Sequence, residues 1–227
     1  MRIDIVSGVP KLLESPLQES IIRRAQDKGK VQILVHDLRT YTHDKHKTID
    51  DTPYGGGAGM ILKPEPVFEC AESLKQERSY DEVILLTPDG ERFDQRLANE
   101  FSLKENLMLI CGHYKGVDER VRESLVSRAI SIGDYVLTGG ELAAAVIVDA
   151  VVRLVPGVLN DSESALSDSF QDNLLGAPQY TRPPEFRGMK VPNVLLSGNH
   201  ADIEEWRQRQ RTERTQSRRS DLLNKNS

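Results

Sequence analysis

The sequence predicts an α/β fold, a mostly parallel sheet covered on both faces, followed by a small, mainly helical C-terminal domain. Three observations predict it. Short apolar runs alternate with helix-period segments through residues 1–159, the order that produces parallel strands with crossover helices. Gly140–Leu154 (GELAAAVIVDAVVRL) is apolar on nearly every face, so that helix has to be buried in a core or at a subunit interface. Residues 160–171 are rich in Ser and Asp and weakly patterned, which sets off residues 172–227 as a separate piece.

Taken in order, Ile3, Ile5 and Val6 make a first short strand. Ser15-Pro16-Leu17-Gln18 reads as a helix start, with Ser15 as cap, Pro16 at the first turn and Gln18 closing a capping box. Leu17, Ile21 and Ala25 would share its inner face, with Gly29 as its end. Val31–Val35 is a second strand. Residues 39–62 are polar and then Gly-rich and read as one long loop, a length more often functional than structural. Pro64–Gln76 is helical, with Val67, Ala71 and Leu74 aligned. Glu82–Thr87 is a strand ended by the turn Pro88-Asp89-Gly90, and Asn106–Cys111 is another, ended by Gly112. Asp118–Leu125 is a short helix, Ala129–Ile132 a short strand, and Gly140–Leu154 the apolar helix stopped by Pro156-Gly157. In the remainder, Gly188–Gly198 is a punctuated loop and Ala201 to about Arg211 a helix. The domains are therefore 1–159, a linker at 160–171, and 172–227.

Composition narrows the function classes. The chain has 227 residues, 38% of them hydrophobic and 29% charged, and no apolar run long enough for a membrane span or a signal peptide, so the cytoplasm is the expected compartment. Two cysteines, Cys70 and Cys111, exclude a disulfide framework and read as small core residues. The net charge of -5 argues against a generic nucleic-acid binder, but it is unevenly spread: residues 1–170 carry -8 and residues 171–227 carry +3. Six arginines and one acid, Glu213, lie between Arg207 and Arg219, either a local RNA-facing patch or simply a solvated helix surface.

Three glycine loops lie past strand ends or before the buried helix: Pro53–Gly59, Cys111–Gly116 and Ser131–Gly140. None is a phosphate-binding loop or a dinucleotide fingerprint. Each alone is compatible with an ordinary turn. Together with Pro88, Gly112 and Gly133 at carboxyl ends of strands, they point to a flat, nucleoside-type ligand without naming it. His43, Asp44, His46, Asp50 and Asp51 have no standard zinc spacing, so no metal site is predicted there; His43–Lys47 offers positive charge to phosphates. Asp168 in the linker is an ordinary hydrated acid unless an ordered partner carries it to a reaction centre. Arg153, ending the apolar helix, either snorkels at the helix terminus or holds an anion.

Several of these segments match, in order and over nearly the whole chain, one known pattern. They are His43–Thr48 with Asp50-Asp51, Pro53–Gly57, Cys111-Gly112, Gly116–Val121, SIGDYVLTGGEL at Ser131–Leu142, VPGVL at Val155–Leu159, Asp168–Phe170, Tyr180–Pro183, and VPNVLLSGNHADIEEWR at Val191–Arg207. The chain resembles the bacterial tRNA (guanine-N1)-methyltransferases of the SPOUT superfamily.

That resemblance implies a deep trefoil knot at the C-terminal part of the sheet domain, and S-adenosylmethionine as methyl donor, with which Mg²⁺ is associated. The cofactor would be held by Leu86, Thr87 and Pro88, by Gly112, His113 and Tyr114, and by Ser131, Ile132, Gly133, Tyr135, Leu137, Gly139 and Gly140. It implies a homodimer whose active site is shared between subunits, with the linker of one ordering over the cofactor of the other. The C-terminal domain would grip the anticodon stem-loop of tRNA, and the target would be N1 of guanine 37, with a guanine preferred at 36. Asp168 is then the implied general base and Arg153 its partner at the guanine. The chain departs from the pattern at His113-Tyr114-Lys115, where many members have Arg-Tyr-Glu, at Gly176, where many have an acid, and at Thr52, where an arginine is frequent. Two other readings stay open: a knotted methyltransferase for another RNA, and a catalytically weakened RNA-binding homologue.

Overall fold

Strands β1 (Arg2–Ser7), β2 (Gln32–Asp37), β5 (Glu82–Arg92), β6 (Asn106–Cys111) and β7 (Arg128–Ser131) form one sheet in the order β2-β1-β6-β5-β7. Every neighbouring pair is parallel, as the alternation of strands and helices predicts. The structure is a computed structural model that describes residues 1–159 and 168–223. By its contacts the chain divides into two compact units, Met1–Asn160 and Asp161–Ser227. No described helix is long and apolar enough to cross a membrane.

Side chains alternate across the sheet and feed two cores. Ile3, Ile5, Ile84, Leu86, Leu107 and Leu109 point to one side, where they meet Ile22 and Ala25 of α2 (Ser20–Asp27), Leu97 and Phe101 of α4 (Gln95–Ser102), and the inner face of α6 (Glu141–Val152). Val6, Val83, Leu85, Met108 and Ile110 point to the other, against Val67, Cys70 and Leu74 of α3 (Pro64–Glu77) and Val121 of α5 (Glu119–Leu125). Each such large side chain, fully buried, contributes roughly 1.5–3 kcal/mol. Both cysteines are buried core residues.

One polar residue interrupts β1. Asp4 is fully buried and accepts hydrogen bonds from Arg2 (2.7 and 2.9 Å), His36 (2.7 Å) and Tyr80 (2.8 Å). Burial pushes its carboxyl up, but the donors outweigh it and bring the pKa down to about 2. The same burial and the neighbouring Asp4 raise the Tyr80 hydroxyl.

The structure corrects several local expectations. The helix expected from Ser15 is broken. A 3₁₀ turn (Pro10–Leu13) leads into α1 (Glu14–Leu17), the chain extends at Glu19, and α2 restarts at Ser20, whose φ is 52°. The buried positions explain this. Leu13 and Leu17 share a face, but the next buried residue is Ile22, five residues on and about 140° out of phase, so the helix must reset. β5 does not stop at Pro88. It pairs with Ile130 through both Leu86 and Glu91, and Thr87–Gly90 loop out between them. The helix α4 has its own start signal, Asp94 accepting from Leu97 N at 3.1 Å, which the sequence reading passed over. Residues 39–62 are not wholly irregular: they hold a 3₁₀ turn (Leu38–Tyr41) and a two-strand ribbon of β3 (Asp50–Asp51) and β4 (Ile61–Leu62). The outer face of α6 is uncovered within the chain, with Leu142 and Val146 each about half exposed (50% and 49%), which leaves the subunit-interface alternative for that face.

In the second unit, β8 (Glu185–Phe186) and β9 (Met189–Lys190) form a hairpin inside what was read as irregular chain. Its turn, Arg187-Gly188, has positive φ at both positions (54° and 80°), the two-residue form whose twist suits paired strands. After α7 (Asn193–Leu196) comes α8 (His200–Arg218), eight residues longer than expected and capped by Asn199, which accepts from Ala201 N. Leu175 N donates to the buried Thr215 Oγ1 at 2.9 Å, tying the start of this unit to α8.

Candidate active site

The loop-out within β5 and the segments that follow β6 and β7 line one cavity of about 390 Å³, the size of a small-molecule site. All thirteen residues expected to hold a nucleoside cofactor line it. Leu86, Thr87 and Pro88 come from the β5 loop-out, Gly112, His113 and Tyr114 from the end of β6. Ser131, Ile132, Gly133, Tyr135, Leu137, Gly139 and Gly140 come from the segment between β7 and α6. Lys115, which the family pattern places beside the cofactor, also lines it, as do Asp89, Val117, Glu119, Arg122, Thr138 and Ala143, which the sequence does not mark as ligand-facing.

The segments hold one another. Gly140 N donates to Gly112 O at 2.6 Å, and His113 bridges Gly139 in antiparallel fashion. Gly140 sits so close to the end of β6 that a Cβ there would lie 2.8 Å from Cys111 Cα and 2.9 Å from Gly112 N. Glycine is required here by protein backbone. At Gly133 the reason differs: φ is 153°, and a Cβ would lie 2.5 Å from the Tyr135 ring. Ser131 Oγ bonds back to Gly133, fixing the start of this segment. The β6 loop is tied to the ribbon by Lys115 N to Met60 O (2.9 Å) and Leu62 N to Gly116 O (2.9 Å). Tyr114 takes a left-handed backbone (φ 61°), and its hydroxyl is pushed up by burial and then by Asp50.

The walls are apolar with a charged rim. Asp89 accepts from Thr87 Oγ1 and from Arg122, both at 2.5 Å, and these bonds hold its carboxyl below the usual carboxylate range. Behind the cavity Glu141, the first residue of α6, is fully buried. Its Oε1 accepts from Ser7 Oγ at 2.7 Å, and its Oε2 lies 3.6 Å from His113 Nδ1. The signal for it was present: a carboxylate directly after Gly139-Gly140, opening a helix whose only other charged residue is the exposed Asp149. Burial, and then Glu141, push the Cys111 thiol well above its ordinary value, which leaves it unsuited to act as a nucleophile.

Arg153 caps the other end of α6, about 20 Å along the helix axis from Gly140, and does not line the cavity. Asp168 is half-buried and opens the described part of the second unit. Next to it, Ser169 Oγ accepts from Gly176 N at 2.8 Å, and Asp172 accepts from Arg211 at 2.5 Å. The segment 160–167 that precedes Asp168 in the expected linker lies outside the described residues. In the polar loop, His43 pairs with Glu69 (2.8 Å) and Asp44 accepts from His46 N and Thr48 N, so these side chains serve the loop itself. Among the described residues no three His, Cys, Asp or Glu side chains converge as a metal site.

The arginine-rich helix is less bare than its sequence implies. Glu204, Glu213, Asp172 and Asp221 lie within 4.0 Å of Arg207, Arg209, Arg211 and Arg219 respectively, three of these acids coming from outside the window 207–219. The second unit also has a cavity of about 500 Å³ lined by Tyr180, Arg182, Leu195 and Arg207 among others, with the Tyr180 and Trp206 rings 6.4 Å apart.

The family model described as tRNA (Guanine-1)-methyltransferase TrmD matches residues 1–225. A protein of Bacteroides fragilis named tRNA (guanine-N(1)-)-methyltransferase is 59% identical over 223 residues, 98% of this chain and 99% of the relative. Proteins of the same name are 59% identical over 225 residues in Cytophaga hutchinsonii (99% and 96% covered) and 56% identical over 223 residues in Flavobacterium psychrophilum (98% and 99% covered).

Proposed function

The chain belongs to the tRNA (guanine-1)-methyltransferase family, and from that premise we propose that it uses S-adenosylmethionine to methylate N1 of guanine 37, beside the tRNA anticodon. The observation that carries this reading is the cavity built by the β5 loop-out and the segments that follow β6 and β7. It lies where open parallel sheets receive ligands. The residues fit a nucleoside methyl donor: apolar side chains such as Leu86, Ile132 and Leu137 for a flat base, and glycine backbone for close approach. The same loops are where the deep trefoil knot of the family belongs, and we assign it to this chain.

When bound, the cofactor supplies a methyl group made electrophilic by its sulfonium. The chain's own residues must do the rest. N1 of guanine carries a proton and is a poor nucleophile, so we assign its removal to Asp168. A carboxylate is a weak base for a ring N–H proton, so such a base needs help. Arg153, placed at guanine O6, stabilises the charge that develops there as the proton leaves. The cavity walls exclude water and hold the donor in line with N1, which supplies much of the remaining effect.

Arg153 lies at the far end of α6 from the cavity, and Leu142 and Val146 leave that helix's outer face apolar and exposed. Both observations support a homodimer in which the two subunits complete one another's site. We assign grip on the anticodon stem-loop to the C-terminal segment, through arginines of α8 and the Tyr180 cavity. The described residues offer no site that fits a resident Mg²⁺, so no step is derived through it. A cytoplasmic location accords with a tRNA substrate.

The test is mass-spectrometric mapping of a tRNA transcript after incubation with labelled S-adenosylmethionine. Label on N1 of guanine 37 is the expected result. A ribose mark, another nucleotide or no label would overturn the reading.

A further inference from the structure

The Glu141 carboxylate is buried, yet only one of its oxygens is satisfied. Ser7 Oγ receives Val9 N–H (2.9 Å) and donates its own proton to Glu141 Oε1 (2.7 Å). Glu141 Oε2 has no hydrogen-bond partner, and neither does the buried His113 Nδ1, 3.6 Å away. A buried carboxylate oxygen and a buried ring nitrogen, both unsatisfied and facing each other, are each costly alone. One proton on Nδ1 and an approach of about half an ångström would satisfy both at ordinary hydrogen-bond length. Gly139 permits that approach: a Cβ there would collide with His113 Nδ1 and lie 2.5 Å from Glu141 Oε2. Nδ1 is buried, while the His113 side chain keeps 21% of its surface exposed and lines the cavity.

We propose that Glu141 is a positioning residue: through a buried Ser7–Glu141–His113 relay it holds the imidazole in its Nδ1-protonated form, so that Nε2 faces the cavity as an acceptor for an N–H donor of the bound nucleoside. The relay joins the end of β1 to the cavity wall. The ligand half of the proposal rests on the nucleoside reading above; the tautomer half does not.

The experiment is nitrogen NMR of the full-length protein with ¹⁵N-labelled histidine, the His113 signals being assigned by their loss in His113→Asn. Wild-type protein is expected to show Nδ1–H at His113. In Glu141→Gln the carbonyl oxygen still accepts from Ser7, so the amide N–H₂ faces the ring and the tautomer is expected to switch to Nε2–H. A merely structural role for Glu141 would not move this signal. Calorimetry with S-adenosylhomocysteine is expected to show affinity about tenfold lower in Glu141→Gln than in wild type. An Nε2–H signal in wild type, which needs no folded variant, overturns the relay. So does an unchanged tautomer in a folded Glu141→Gln protein, or equal affinity despite a switched one. Failure of wild-type protein to bind S-adenosylhomocysteine while His113 shows Nδ1–H would instead strike the nucleoside reading and leave the relay standing.

Discussion

Gly140→Ala separates two reasons for a glycine at the cavity. If the glycine exists for a ligand, the free protein should not notice an added methyl group. The geometry says otherwise. Gly140 has φ −79° and ψ −9°, a backbone that alanine adopts freely, so on conformational grounds alone the substitution should stabilise by about 0.4–1 kcal/mol. Against this, the new Cβ would stand 2.8 Å from Cys111 Cα and 2.9 Å from Gly112 N, and has to move by about 0.6 Å to reach ordinary contact at 3.4 Å. Both atoms are backbone at the end of the central strand β6, which its neighbours β1 and β5 hold in place. Overpacking of this kind costs about 1–3 kcal/mol. The net expectation is a loss of about 1–2 kcal/mol, or about 3–8 °C in Tm for a protein of this size. Thermal unfolding of the ligand-free variant measures it. An unchanged or higher Tm would refute the claim that protein backbone, rather than ligand, demands glycine here.

Other predictions follow from particular contacts. Asp4, with its folded pKa near 2 against 3.8 as its ordinary value, contributes roughly 2–3 kcal/mol that is fully present above the ordinary value and is lost as pH falls from about 4 to 2. In denaturant titrations Asp4→Asn should therefore lose stability at pH 7 but differ little from wild type at pH 2; a constant difference across that window would refute it. Asp168→Asn should slow single-turnover methylation by at least a hundredfold and leave S-adenosylhomocysteine affinity within twofold, whereas a near-wild-type rate would remove Asp168 as the base. A chain ending at Leu159 should lose tRNA methylation, and full activity in it would exclude any role for the C-terminal segment.

The parallel sheet was legible because each strand carries its own apolar run. Asn106–Cys111 is read to the residue, since every one of Leu107–Cys111 is buried on one face or the other. The cavity's glycine segments were legible as well, because the glycines cluster in short runs after strand ends, although the contact that demands Gly140, with Cys111 and Gly112, is a distant one. What could not be read was anything set by register between distant segments. The break between Leu17 and Ser20 depends on which face meets the core. The continuation of β5 past Pro88 depends on β7 offering Ile130 twice. The Ser7–Glu141 bond joins residues 134 apart in sequence, and no pattern within either segment announces it. The neutralising partners of Arg207, Arg211 and Arg219 likewise come from outside the window in which their charge was counted.

The bond from Gly140 N to Gly112 O, with the bridge between His113 and Gly139, makes two walls of the cavity share main-chain hydrogen bonds. Neither wall can then be reshaped on its own. Changes at 112–113 and at 139–140 should be strongly non-additive when combined. Redesign toward a different donor molecule would have to move both segments in concert, or else work through side chains such as Thr87 and Lys115 that project from outside the clasp.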